Sequence, residues 1–330
     1  MKFYILIVFI LTFKNSFGQN HTIEEFGFRR FNILFQGDTI DILMKSKKGD
    51  EQLKKPLFLF CQGSLPQPLC VYEQNKLYST FPFSTDSLEV YYHIAIISKP
   101  YIPLVVDKRL LDQNFIYLDS ITNKIPKKYS DRNLLDYYVN RNIKVIKYLE
   151  KLSFIDQSKL VIAGHSEGST IAAKMALKYK KITHLIYSSG NPFGRIMAII
   201  GQSRSLENDS TLQVESDFHY WQQVINNKTS MDDSIGDTYK ACYDFSIPPI
   251  NYLKKINIPT IISYGTEDVS ASFNDYLRVE MIRNNKSNFT FKSYLGLEHN
   301  YFPLKHSGEI NYEIFNWDKV GIDWLNWLKQ

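Results

Sequence analysis

The apolar positions of this chain fall into short unbroken runs and longer stretches at helical spacing. Phe28–Phe35 and Thr39–Lys45 read as two strands joined at Gln36-Gly37-Asp38, a hairpin signal. Ser46–Lys55 is a charged loop. Pro56–Cys61 and Val90–Ser98 are continuous apolar runs, as strands buried on both faces should be. Asn133–Leu152 carries Leu134, Leu135, Val139, Ile143, Val145, Ile146 and Leu149 at helical spacing. Downstream, strands are predicted at Lys159–Ala163, Ile182–Ser188, Pro259–Tyr264 and Phe289–Leu295. Helices are predicted at Ser169–Tyr179, Phe273–Arg283 and Trp317–Leu328.

Strands alternating with helices predict an α/β fold with a doubly wound, mostly parallel sheet and an antiparallel hairpin at its N-terminal edge. Asn191–Lys255 breaks the alternation. It is polar at Ser203–Ser210 and Asn226–Asp233 and helical elsewhere, and is expected to be a cap inserted between two strands.

The first residues form a separate unit. Lys2 precedes the apolar run Phe3–Phe13, which is too short to span a bilayer as a helix, and Ser16-Phe17-Gly18 supplies small residues at a cleavage site. The expectation is a signal peptide over residues 1–18, a mature domain over 19–330, and export to the periplasm or the medium. No second long apolar stretch follows, so no membrane anchor is expected after cleavage.

Composition adds little beyond this. The chain is 44% hydrophobic and 22% charged, enough to bury a full core, and its formal charge is +5. No dense basic run interleaves with aromatics, so no nucleic-acid partner is expected. The 22 Tyr and 22 Phe read first as compositional bias. No metal-ligand spacing is present and no cofactor is implied. Cys61, Cys70 and Cys242 leave two readings open: a bridge between Cys61 and Cys70, or three unpaired thiols.

The chemistry-bearing motif is Gly164-His165-Ser166-Glu167-Gly168. Alone, a GxSxG string is weak. Here the strand Lys159–Ala163 leads into it and a helix leads out, which is the setting that makes such a serine a nucleophile. Side chains two positions either side of Ser166 would collide in so tight a turn, and glycine removes the clash. The motif is expected to point the His165 side chain away from the site.

With this elbow, the chain resembles the α/β-hydrolase superfamily. Its elbow and final histidine loop are similar to those of the dienelactone hydrolase and prolyl oligopeptidase-like branches. The resemblance covers about Phe28 to Leu328 and implies the order Ser, acid, His. It places the acid in Gly265-Thr266-Glu267-Asp268, with Asp268 first and Glu267 as the alternative. It places the base in Gly296-Leu297-Glu298-His299-Asn300-Tyr301, at His299, with His306 as rival. The implied oxyanion donors are the N–H of Glu167 and that of Ser64 or Leu65, in the loop Gln62-Gly63-Ser64-Leu65 where the family often has His-Gly. Also implied is a serine hydrolase acting on a small-molecule ester or related acyl compound. Two alternatives remain: a small peptidase or amidase, and a noncatalytic binding protein on the same fold. Within the cap, Phe193, Met197, Phe218, Tyr220, Trp221 and Tyr243 either line a pocket or form the cap's own core. Arg195 is either solvated or binds a carboxylate.

Overall fold

In the computed structural model, β1 (Phe28–Phe35) and β2 (Asp38–Lys45) pair antiparallel with Phe35 opposite Asp38. Between them Gln36 and Gly37 have φ of 52° and 83°. Two successive left-handed residues are what a two-residue turn needs to match strand twist. The structure describes residues 22–330 except 75, 80, 209 and 233–235; the expected signal peptide over residues 1–18 lies outside the described residues.

The chain continues through β3 (Lys55–Cys61), β4 (Cys70–Glu73), β5 (Lys76–Ser79), α1 (Asp86–Glu89), β6 (His93–Ile97) and β7 (Val105–Asp107). Next come α2 (Lys127–Arg132), α3 (Leu135–Leu149), β8 (Ile155–His165), α4 (Glu167–Lys178) and β9 (His184–Ser188). Four helices then intervene: α5 (Arg195–Leu206), α6 (Gln213–Asn226), α7 (Tyr239–Phe245) and α8 (Ile250–Leu253). The chain closes with β10 (Thr260–Gly265), α9 (Ala271–Arg283), β11 (Phe289–Tyr294) and α10 (Trp317–Leu328).

Eight strands form one sheet in the order β1-β2-β6-β3-β8-β9-β10-β11. β1 and β2, and β2 and β6, run antiparallel; every later pairing is parallel. The architecture is α/β, as the alternation of elements predicts. One face of the sheet is covered by α3, α4, α8 and α9, the other by α1 and α10. Leu135, Val139, Ile143 and Ile146 of α3 recur every three or four residues, so one stripe of the helix enters the core. On the opposite face Trp317, Val320, Trp324 and Leu328 of α10 do the same.

Several boundaries differ from the sequence reading. The strand expected over Val90–Ser98 starts only at His93, because Val90 and Tyr91 follow α1 at the surface. The helix expected over Asn133–Leu152 is shorter at both ends. Asn133 is held outside it by donating to Asp237. A second sheet, β5-β4-β7, was not anticipated.

The cysteines are unpaired and buried. Cys61 sits in the core on the α3 face, 3.7 Å from Asn142 Nδ2, while Cys70 belongs to the core on the other face. The sheet itself separates the two thiols. The inserted segment carries its own small core of Ile196, Ile200, Val214, Tyr220, Val224 and Cys242. Among the described residues no helix is long and apolar enough to cross a membrane.

Candidate active site

The functional side chains gather at the carboxyl ends of the parallel strands, where open α/β sheets place their sites. Ser166 directly follows β8 and caps α4 with φ 55° and ψ −127°. A non-glycine residue held in such a conformation is strained, and the surrounding backbone must fix it. That backbone is packed tightly enough to do so. A Cβ on Gly164 would lie 2.1 Å from the Gly168 carbonyl oxygen, and one on Gly168 would lie 2.1 Å from that of Cys61. Ser166 N–H donates to the Ser188 carbonyl at 2.9 Å, and Ser169 Oγ donates to the Ser166 carbonyl at 2.6 Å.

Asp268 and His299 come together across two loops. His299 Nδ1 lies 2.8 Å from Asp268 Oδ2, and Asp268 Oδ1 accepts the Ser270 N–H at 2.8 Å. The Asp268 side chain is fully buried, while that of His299 is 36% exposed. The loops meet backbone to backbone at Gly265, where a Cβ would lie 2.0 Å from the Leu297 carbonyl oxygen. Glu298 Oε1 accepts the N–H groups of Asn300 and Phe302 and fixes the histidine loop. Burial pulls the His299 pKa down, but the Asp268 hydrogen bond and charge outweigh it, and the pKa sits above the ordinary histidine value. Glu267 is exposed, and His306 is exposed and lines neither cavity of the site.

Beside them, the Gln62–Leu65 loop is tied at three points. Gln62 Nε2 donates to the Ile97 carbonyl at 2.7 Å. Buried Lys99 donates to the Gly63 carbonyl at 2.6 Å, and Tyr129 OH donates to the Ser64 carbonyl at 2.9 Å. With the carbonyls held away, the N–H groups of Ser64 and Leu65 find no acceptor among the described residues, nor does that of Glu167 at the first turn of α4. Gly63 packs against the nucleophile: a Cβ there would sit 3.5 Å from Ser166 Cβ. Burial, with the charges of Arg141 and Arg195 adding to it, lowers the Lys99 pKa to about 7.

Ser166 and His299 line two cavities. The larger, about 860 Å³, is an open cleft whose aromatic wall includes Phe60, Phe115, Phe302, Tyr312, Phe315 and Trp317. These residues come from the end of β3, the loops around the site and the start of α10, not from the insertion. Among the aromatics of the inserted segment, Phe193 packs on Phe273 and Tyr276, and Trp221 stacks on Tyr243. The smaller cavity, about 160 Å³, is more polar in its lining residues and includes Glu167, Ser189, Asn191 and Arg195. Arg195 is not solvated. Its side chain is 15% exposed and bridges the carboxylates of Glu167 and Asp237.

His165 does not point away from the site. Its ring lies 5.1 Å from that of His299 and 4.7 Å from that of Trp317, and it lines the larger cleft. Nε2 is 3.2 Å from Asn300 Oδ1 and Nδ1 is 3.1 Å from Ser188 Oγ. Burial and the neighbouring His299 push its pKa down to about 3, so it stays neutral. Among the described residues no cluster of His, Cys, Asp and Glu is disposed to hold a metal ion.

The arrangement offers a strained hydroxyl, an imidazole oriented by a buried carboxylate, and backbone N–H groups without acceptors. No family model matches this chain, and no curated protein matches it. Solved structures do. Est1E from Butyrivibrio proteoclasticus, described with ferulic acid bound, is similar over 91% of this chain and 100% of its own, at 15% identity and a TM-score of 0.57. A putative dipeptidyl aminopeptidase IV from Bacteroides ovatus is similar over 92% of this chain and 35% of its own, at 9% identity and a TM-score of 0.56. A bacterial membrane phospholipase A is similar over 92% of this chain and 86% of its own, at 14% identity and a TM-score of 0.51. The chain has the α/β-hydrolase fold.

Proposed function

We propose that this protein is an exported serine hydrolase that cleaves an ester or related acyl bond through an acyl-serine intermediate. The observation that carries the reading is the Asp268–His299 pair beside a serine held at φ 55° on a strand–helix elbow. Ser166 Oγ attacks the carbonyl carbon while His299 Nε2 takes its proton, and Asp268 stabilises the resulting cation. The carbonyl electrons move to an oxyanion that accepts hydrogen bonds from Glu167 N–H and from Ser64 or Leu65 N–H. Collapse expels the alcohol with the proton from His299. Water, deprotonated by His299, then attacks the acyl-serine and releases the acid and the free hydroxyl of Ser166. Export rests on the apolar run Phe3–Phe13 behind Lys2.

The aromatic cleft supports a substrate with one bulky apolar or aromatic part. The likeness to a putative dipeptidyl aminopeptidase keeps short peptides as a second substrate class. Nitrophenyl esters tested against aminoacyl anilides separate the two classes. A fluorophosphonate probe is expected to label the protein covalently, and Ser166→Ala to abolish labelling in a folded chain. Labelling retained at another serine overturns the assignment.

A further inference from the structure

Among the described residues, the wall of the open cleft beside Ser166 holds no Lys, Arg, Asp or Glu. Its two imidazoles are that of His299 and that of His165, which stays neutral. Its other polar side chains include the neutral amides of Gln62, Gln67, Gln113, Asn114 and Asn300. Charge next to Ser166 lies in the small cavity and is already engaged there, because Arg195 bridges Glu167 and Asp237. The remaining Glu167 oxygen, Oε1, exposes less than 1 Å² and is closed to a ligand.

One aromatic residue of this cleft is held in a costly backbone conformation. Phe115 has φ 60°, a left-handed value that a bulky residue seldom adopts and that glycine would take freely. The loop around it enforces the strain. Phe115 N–H donates to the Asp112 carbonyl at 3.0 Å, and Asp112 Oδ1 accepts the N–H groups of Asn114 and Ile116 at 2.8 Å each. Gln67 Nε2 donates to the Asn114 carbonyl at 2.8 Å. Lys108, paired with Glu73 and outside the cleft wall, sets its Nζ 5.6 Å from the ring centroid. The ring itself belongs to none of the three apolar cores and is 41% exposed. Folding thus gains little from a phenyl group here, and strain kept without a folding gain marks a functional position.

We infer that Phe115 is a specificity-determining residue and that the cleft takes an uncharged aromatic ring of the substrate, packed on the Phe115 side chain. This deepens the serine-hydrolase reading and rests on it. Two rings in contact gain from burial and from edge-to-face or offset packing. A carboxylate or an ammonium carried into the same cleft would lose water and meet no opposite charge. The amides can pair with neutral substituents such as hydroxyl or ether groups. Of the two substrate classes, this favours uncharged esters over peptides with a free amino terminus.

The test uses ring-substituted esters in two series, methyl 3-phenylpropanoates with the ring in the acyl part and 2-phenylethyl acetates with the ring in the alcohol part. Each series carries two matched pairs at the para position: tert-butyl against trimethylammonio, and carboxamide against carboxylate. Active sites are counted by fluorophosphonate titration. In at least one series the neutral member of each pair is expected to have a kcat/KM at least about tenfold higher. In that series Phe115→Gly should raise KM for the unsubstituted ester about five- to tenfold with kcat unchanged, while turnover of ethyl acetate, which has no ring, and the melting temperature are not lowered. Phe115→Asn, which also accepts left-handed backbone, should behave alike, and Phe115→Tyr should keep the parent KM. Equal rates within the pairs of both series overturn the uncharged cleft. An unchanged KM in Phe115→Gly and Phe115→Asn, or an equal loss on ethyl acetate, overturns the role of Phe115. No labelling and no hydrolysis of any ester overturns the serine-hydrolase reading, and this inference with it.

Discussion

The two walls around Ser166 are held in place by different physics. On the side of Asp268 and His299, backbone packs against backbone. Gly164 and Gly168 let the elbow close on the end of β3, and Gly265 lets the acid and histidine loops touch. On the insertion side, buried side-chain charge does the holding: Arg195 reaches from the start of α5 to Glu167 on α4 and to Asp237 before α7. Backbone packing tolerates no added atom, so that wall positions groups rigidly. A buried ion network is costly to assemble, and removing one partner is costly too because it leaves a buried charge unpaired.

The largest effect is expected on the side of Asp268 and His299. Asp268→Asn should lower kcat by about three to four orders of magnitude, because the imidazole loses its orientation and the stabilisation of its cation. The pH profile sharpens the same point. His299 must be neutral to accept a proton, and its pKa is raised. The acid limb of kcat/KM should therefore lie above about 6.5, the ordinary histidine value, with activity lost as pH falls through it. A limb at or below that value would break the assignment. Linkage has the opposite sense for stability. The His299–Asp268 pair stabilises the fold fully below the unfolded histidine pKa, and that contribution is lost as pH rises through the folded one. In Asp268→Asn this pH dependence of stability should shrink.

Next in size is the insertion side. Arg195→Met leaves the Glu167 carboxylate buried without its cation and should cost about 3–5 kcal/mol in chemical denaturation. Adding Glu167→Gln should recover part of the loss. Equal destabilisation in the single and double variants would mean that Arg195 acts through packing alone.

A smaller effect is expected where the walls meet. Lys99→Met frees the Gly63 carbonyl and loosens the loop that presents Ser64 and Leu65. Turnover should fall about tenfold while the folded state is not weakened, since a buried cation is removed. Unchanged kcat would show that Gln62 and Tyr129 hold the loop without it. Smallest of all, Glu267→Gln at its exposed position should shift stability by less than about 0.5 kcal/mol and leave the pH profile in place.

How much of this was legible in the sequence depended on range. The elbow was legible because its signal is local: a strand, two glycines around a serine, and a helix lie within about twenty consecutive positions. The β1–β2 hairpin was legible for the same reason. The sheet of β5, β4 and β7 was not, since its strands have three or four residues and β7 pairs with β4 across more than thirty positions. Nor was His165 readable as a wall of the cleft. Its neighbours Trp317, Asn300 and Ser188 lie far along the chain.

The sequence by itself determined the alternation of strands and helices, the strained serine and the loops that carry an acid and a histidine. These follow from side-chain periodicity and from glycines that only tight turns require. Tertiary structure alone set Asp268, and not Glu267, against His299, because adjacent residues leave a loop in different directions and Asp268 is the buried one. It also decided the fate of the cysteines. Cys61 and Cys70 are nine positions apart, yet Cys61 ends β3 in one core, while Cys70 starts β4 of the separate small sheet and packs into the other core. And it decided that Asn191 and Glu167 line one cavity, because the turn after β9 and the first turn of α4 meet only when the parallel strands β8 and β9 lie side by side.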